Sequence, residues 1–283
     1  MDKKDLLISF SGGATSARMT KKLFSEYADK FNFHVVFANT GQELEETLEF
    51  IEECDKQWGL NVIWLEAVVF PEFRKGTTYR VVNFETAHRG EEIFESMIKV
   101  YGIPNKSYPH CTRELKDAPI TAWARDHLSK DYITAIGLRL DEQDRTSKKA
   151  KRRRFWYPLI DWEIDREDVY IWWEDQPFQL GIENYRGNCS WCWKKSAKKH
   201  YRIIAETPQI YDFPRRMEKE QGLAGSNEDN TPRVFFRENW STDVLFEHAK
   251  IFNSQNLFPY SELDTGTGCE EHCQPFSGDD DED

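Results

Sequence analysis

Leu6-Leu7-Ile8-Ser9-Phe10-Ser11-Gly12-Gly13-Ala14-Thr15-Ser16-Ala17 is the stretch on which the reading of this chain turns. The apolar run at 6–10 has the length and composition of a buried strand, and it stops abruptly in a serine and two glycines, a turn signal. From Thr15 onward Met19, Leu23 and Tyr27 recur at helical spacing with lysines between them, so the turn opens into an amphipathic helix. Glycines let a backbone approach an anion closely, a helix start presents unpaired N–H groups, and Ser11, Thr15 and Ser16 add hydroxyl donors. Phosphate is the expected guest. The same residues also describe an ordinary strand-to-helix turn with Ser or Thr caps. A Walker loop is excluded, because GxxxxGK[ST] is absent.

Outward from this stretch the pattern repeats. Residues 34–38 read as a strand, Asn39-Thr40-Gly41 as a turn, Leu44, Leu48, Ile51 and Trp58 as the buried positions of a second helix, and 62–65 as a third strand. A helix over 119–128 leads into a strand over 132–136. Parallel strands need crossovers and helices supply them, so this alternation predicts an α/β protein with a parallel sheet wrapped by helices. Beyond about residue 161 the alternation weakens into helical stretches at 166–175, 196–206 and 215–221 with a polar segment at 222–232. The expected division is 1–162 as the nucleotide-binding domain and 163–283 as a smaller, mainly helical appendage with an acidic tail.

Composition narrows the class. The chain has 283 residues and a net charge of −12, of which five negative charges sit at 279–283, a solvated tail. Against that background Lys148, Lys149, Lys151, Arg152, Arg153 and Arg154 form one basic cluster, and Lys194, Lys195, Lys198 and Lys199 another, so local anion binding is expected. The charged start and the lack of any apolar run near the roughly 20 residues of a membrane span predict a cytoplasmic protein with no membrane partner. In that compartment clustered cysteines read as metal ligands or redox groups. Cys189-Ser190-Trp191-Cys192 is a Cys-x-x-Cys, and Cys269 and Cys273 form a second pair. With Cys111 they can supply four thiolates to a [4Fe–4S] cluster or to tetrahedral Zn²⁺. Cys54, three residues after Ile51, is expected in the core.

The segment Ser9 through Ala17 resembles the PP-loop, SGGxDS, of the ATP pyrophosphatase and phosphoadenosine phosphosulfate (PAPS) reductase superfamily. Four further segments resemble its PAPS-reductase-like branch, a type also found in phage genomes: Phe37-Ala38-Asn39-Thr40-Gly41-Gln42-Glu43, the run from Cys111 to Lys116, Gly137-Leu138-Arg139-Leu140-Asp141-Glu142 with Arg145, and the run from Tyr157 to Trp162, read as a buried strand or turn. Thr15 stands where the usual pattern has Asp. The resemblance implies a doubly wound, Rossmann-like sheet with an adenine nucleotide at the C-terminal strand ends. Ser9, Ser11, Gly12, Gly13, Ala14, Thr15 and Ser16 would hold phosphates, Phe37, Ala38, Asn39 and Thr40 would frame the adenine, and Gly137 with Arg139 would close the site from the other side. It also favours iron–sulfur over zinc.

Arg113 and Lys116, three apart, are read as a convergent pair facing an anion, and Arg113, Lys116 and Arg139 are the catalytic candidates. Asp141, Glu142 and Asp144 are candidates to help hold Mg²⁺ with the phosphates. The function expected from the resemblance is ATP cleavage between the α and β phosphates, adenylation of an acceptor, and sulfur transfer. A nucleic-acid acceptor on residues 148–154 and a sulfur or electron donor protein are the expected partners. Two alternatives stand beside it: a PAPS or adenylyl-sulfate reductase, and a non-catalytic nucleotide-binding, metal-stapled module.

Overall fold

The computed structural model of the chain describes residues 3–72, 75–187, 189–225, 230–254 and 276. Strand β1 (Lys4–Ser9) is buried over its last four residues and enters helix α1 (Ala14–Glu26) through the glycine turn. Met19 and Leu23 turn into the core, as their spacing requires, and Tyr27 caps the end. β2 (Phe31–Asn39), α2 (Glu45–Trp58) and β3 (Ile63–Val69) repeat the unit, with Leu48, Ile51 and Cys54 on the buried face of α2. Gly59, left-handed at φ 63°, ends α2, a conformation that costs glycine little.

The chain then adds β4 (Thr77–Val82), antiparallel to β3, and α3 (Glu92–Tyr101). A continuous rod follows: α4 (His110–Thr112), a π-helical turn (Arg113–Asp117) and α5 (Ala118–His127), leading to β5 (Ile133–Ile136). After α6 (Ala150–Arg153) and the short β6 (Phe155–Trp156), the sheet is complete in the order β4-β3-β2-β1-β5-β6. Every pairing except β3 with β4 is parallel. The chain leaves β1 toward β2 on one side and returns through β5 on the other. Their carboxyl ends therefore frame the switch-point crevice where such sheets bind ligands.

Of the strand or turn expected for the Tyr157-to-Trp162 motif, the structure has a turn, the helical α7 (Pro158–Asp161), which proline at the first helical position favours. β4, α3 and β6 lie outside the elements expected from the sequence. Helix α8 (Arg166–Glu174) packs Val169 and Trp173 into the cluster that α1 and α2 make on one face of the sheet. α5 covers the other face with Ile120, Trp123 and Ala124. A third core joins Ile93, Phe94, Met97 and Ile98 of α3 to α9 (Ala197–Glu206), α10 (Asp212–Gln221) and α11 (Thr242–Ser254) around the buried Trp191.

Candidate functional site

Between β1 and α1 the backbone turns at Gly12, φ 78°, where a Cβ would meet Ile51 Cδ1 and Thr47 Cγ2 at 2.8 Å. Only glycine fits that conformation and that space. Ser16 ties the turn: its Oγ accepts from Ser11 N at 3.2 Å and from the Ser11 hydroxyl at 3.0 Å, and donates to the Gly13 carbonyl at 3.0 Å. α1 starts at Gly13 with no side-chain cap and no acidic residue in its first turn. A helix N-terminus in this state is suited to an anion, which would satisfy the dipole and the first-turn N–H groups. Beneath the loop the hydroxyls of Ser9 and Thr47 are buried without a hydrogen-bond partner.

Arg139, just past β5, faces the loop across the crevice. It is 2% exposed, its Nη1 donates to Thr15 Oγ1 at 3.2 Å, and its Nε and Nη2 grip both oxygens of Asp141 at 3.0 Å. Burial alone would raise the Asp141 pKa, but the hydrogen bonds and charge of Arg139 hold it below the ordinary carboxylate value. Glu142 accepts from the Arg139 backbone N–H at 3.2 Å and pairs with Arg145. These two carboxylates, read from sequence as Mg²⁺ candidates, thus hold the arginine in place. The Thr15 hydroxyl stands where the usual carboxylate would, against that same guanidinium.

The end of β2 carries a different chemistry. The Phe37 ring belongs to the core, edge-on to Trp64 with centroids 5.0 Å apart. The Asn39 amide is likewise committed, donating to Glu66 Oε1 at 2.7 Å and to His88 O at 2.9 Å. Glu66 is fully buried and accepts from Arg80 Nη2 at 2.7 Å and from the His88 backbone at 2.6 Å. This network, which the sequence reading missed, fixes the shape of the 39–43 turn. Gly41 within it has φ 78° and lies so close to Gly90 O that an added Cβ would collide with it.

Onto that turn folds the cysteine loop. Ser190 N donates to Gln42 O at 3.0 Å, and the buried Trp191 indole donates to Gln42 Oε1 at 2.6 Å. The Lys195 ammonium, 2% exposed, donates to the carbonyls of Gly187 and Cys189, the latter at 3.1 Å. Cys189 Sγ comes to 3.5 Å from Thr40 Oγ1. Burial and the Glu43 charge push its thiol well above the ordinary cysteine value, with Lys116 acting in the opposite sense. The thiol form is therefore favoured. Cys192 follows in the same turn, its N–H donating to Cys189 O at 3.0 Å, and Cys111 packs against the same core.

Arg113 and Lys116 have different surroundings. Arg113 donates to Glu114 Oε1 at 2.7 Å and to His110 Nδ1 at 3.2 Å, whereas Lys116 is buried and its charge acts on Cys189. Burial first, then Arg113 and Arg233, bring His110 down to about 4. Cys269 and Cys273 lie outside the described residues. Among the described residues no three His, Cys, Asp or Glu side chains group as metal ligands. Cys111, Cys189 and Cys192 as placed thus do not by themselves fit a [4Fe–4S] cluster or a zinc centre. In the basic segment, Arg153 lies over Phe155 and Phe276 and 3.7 Å from Asp117, and Arg154 donates to Lys130 O, while Lys151 and Arg152 are exposed.

The glycine turn, the arginine across the crevice and the parallel sheet agree with a match of residues 5–179 to the phosphoadenosine phosphosulfate reductase domain. The chain belongs to that family. Among its relatives is the nin region protein ORF290 of Escherichia phage lambda, 30% identical over 96% of this chain and 95% of that protein. An uncharacterised protein of Methanocaldococcus jannaschii is 25% identical over 74% of this chain and 40% of its own length. The PAPS reductase domain match runs past α7 and through α8, and so includes Trp173, whose indole donates to Ala14 O at 2.9 Å and braces the start of α1. No helix among the described residues is long and apolar enough to cross a membrane.

Proposed function

We propose that the chain binds ATP with its phosphates on the 11–16 loop and uses it to adenylate an acceptor for sulfur transfer. One observation carries this reading: the glycine turn with Arg139 and the turn holding Cys189 meet the same carboxyl edge of the sheet, linked through Thr15 on one side and Thr40 on the other. An acceptor oxygen attacks the α-phosphorus, the bond to the bridging β-phosphate oxygen breaks, and pyrophosphate leaves. Sulfide then attacks the activated carbon and AMP departs. First-turn N–H groups of α1 and the Arg139 guanidinium offset charge developing on the phosphates, which is where fixed donors contribute most.

Mg²⁺ bound to the triphosphate would supply further charge neutralisation there. An iron–sulfur or zinc centre needs donors beyond Cys189 and Cys192, for which the tail cysteines Cys269 and Cys273 are the candidates. The exposed Lys151 and Arg152 remain candidates for contact with a nucleic-acid acceptor. The experiment is a product assay under anaerobic conditions. Pyrophosphate released from ATP in the presence of sulfide and a range of acceptors supports the reading, whereas sulfite formed from PAPS without ATP cleavage replaces it with nucleotide-sulfate reduction. Binding of ATP with no turnover of either nucleotide leaves the binding module.

A further inference from the structure

A cavity of about 230 Å³ opens at Ala14, on the first turn of α1, and extends to Gly187, two residues before Cys189. We propose that it is the acceptor pocket and that its occupant is a nucleobase of the acceptor, an inference that rests on the proposed function above. Its position is the first argument. Ala14 belongs to the phosphate loop, and the Lys195 ammonium bonds the carbonyls of both Gly187 and Cys189, so the cavity runs from the phosphate loop to the segment that carries Cys189.

Its chemistry is the second. Tyr170 and Trp173 give aromatic lining, with Arg166 over the Tyr170 ring and Trp173 packed among core aromatic rings, and Leu180 and Ile182 give aliphatic lining. Both rings are held rigidly: the Tyr170 hydroxyl accepts from Arg166 Nε at 3.2 Å and from Asn184 Nδ2 at 3.0 Å, and Trp173 is tied to Ala14 O at 2.9 Å. Gln179 and Asn184 supply the polar edge. The Gln179 amide N–H donates to Trp173 O at 3.0 Å and that of Asn184 to the Tyr170 hydroxyl at 3.0 Å, and each of these side chains also carries a carbonyl oxygen, an acceptor. Among the described lining residues Glu183 is the one with an acidic side chain, and none is basic. A phosphate or sulfate is disfavoured in such a site, whereas a ring bearing amino or ring N–H donors is matched on both face and edge.

Size is the third argument. The volume falls below the roughly 300–1,000 Å³ of pockets that enclose drug-sized ligands, so it admits one ring system rather than an entire nucleotide. A base swung out of a nucleic-acid strand, stacked between apolar side chains and read along its hydrogen-bonding edge, has this shape.

Adenosine, guanosine, cytidine and uridine, titrated separately into the full chain with no ATP present, test the assignment. At least one is expected to bind saturably. Ile182→Trp, which fills the cavity, and Asn184→Leu, which removes its polar edge, should each weaken that binding about tenfold or more, with ATP affinity and thermal unfolding unchanged. The bound nucleoside should also remain bound when ATP is added. No nucleoside binding by the wild-type chain, or equal binding by both folded variants, overturns the proposal. Displacement of the nucleoside by ATP overturns it too, since the cavity is then the nucleotide's own base site. Failure of the proposed function reads differently, as absent ATP binding or pyrophosphate release, because the nucleoside arm uses no ATP.

Discussion

The phosphate loop and the cysteine loop reach the same edge of the sheet but are held by opposite means. The turn of the first is set by its own chain, with Gly12 at positive φ and Ser16 bonded to Ser11 and Gly13 within five residues, and Trp173 and Arg139 only brace it at Ala14 and Thr15. The second is held from a distance, by Gln42 about 150 residues earlier in the chain, and by a buried lysine whose ammonium donates to carbonyl oxygens of the loop. A loop of the first kind is preorganised wherever its strand and helix form. A loop of the second kind depends on the packing of the whole C-terminal core.

The largest effect is expected where the local loop is broken. Gly12→Val places a β-branched residue at a positive φ and against Ile51 and Thr47, costing on the order of 3 kcal/mol from strain and overpacking together. Chemical denaturation should show that loss, and ATP binding should vanish even at temperatures where the variant remains folded. Retained ATP affinity would take the loop out of the nucleotide site.

Removing the remote support of the other loop comes next. Lys195→Met leaves the Gly187 and Cys189 carbonyls without their ammonium, a loss of about 2 kcal/mol. Its signature is local: Cys189, buried in the wild type, should become reactive toward a thiol reagent much faster in the variant, while ATP affinity holds. Equal reactivity in the two proteins would mean that the loop keeps its shape without Lys195.

A smaller effect follows from pH. Burial, reinforced by the charges of Lys195 and Arg237, holds the His200 pKa well below its ordinary value, so the folded chain keeps this ring neutral. Its Nδ1 lies 2.7 Å from the Tyr211 hydroxyl in the same core. The unfolded chain takes up the proton near pH 6.5, which the folded chain does not. Stability from this residue is therefore full above that pH and falls as pH drops below it, by at most about 1.4 kcal/mol per pH unit. Subtracting the pH profile of His200→Asn from that of the wild type isolates the slope, and a flat difference between pH 6.5 and 5 would show that His200 titrates alike in both states.

The same contrast explains what could be read in the sequence. The glycine turn, the helical spacing of Met19 and Leu23, and Cys54 in the core are local signals, and each stands where expected. β4 was missed because it is a half-exposed edge strand in which Thr77, Thr78 and Arg80 mask any alternation, and Arg80 is there to neutralise the buried Glu66. The helical signal of α3 was present in Ile93, Phe94, Met97 and Ile98 but went unread. At the site, the placing of Arg139 opposite the loop follows from the family motif. The π-helical turn that carries Arg113 and Lys116, and the bond of Arg113 to Glu114, are not visible in the spacing alone. The Gln42 contacts that seat the cysteine loop are long-range and leave no local trace.

The central claim is that the glycine turn and Arg139 together bind the phosphates of an adenine nucleotide, and calorimetric titration with ATP tests it most directly. Wild-type chain should bind ATP saturably at a single site. Arg139→Ala should weaken binding about tenfold or more through loss of charge-assisted hydrogen bonds, and Arg139→Lys should recover little of it because an ammonium lacks the planar fork. A folded wild-type chain that takes up no ATP, or an alanine variant that binds it as tightly, would contradict the account.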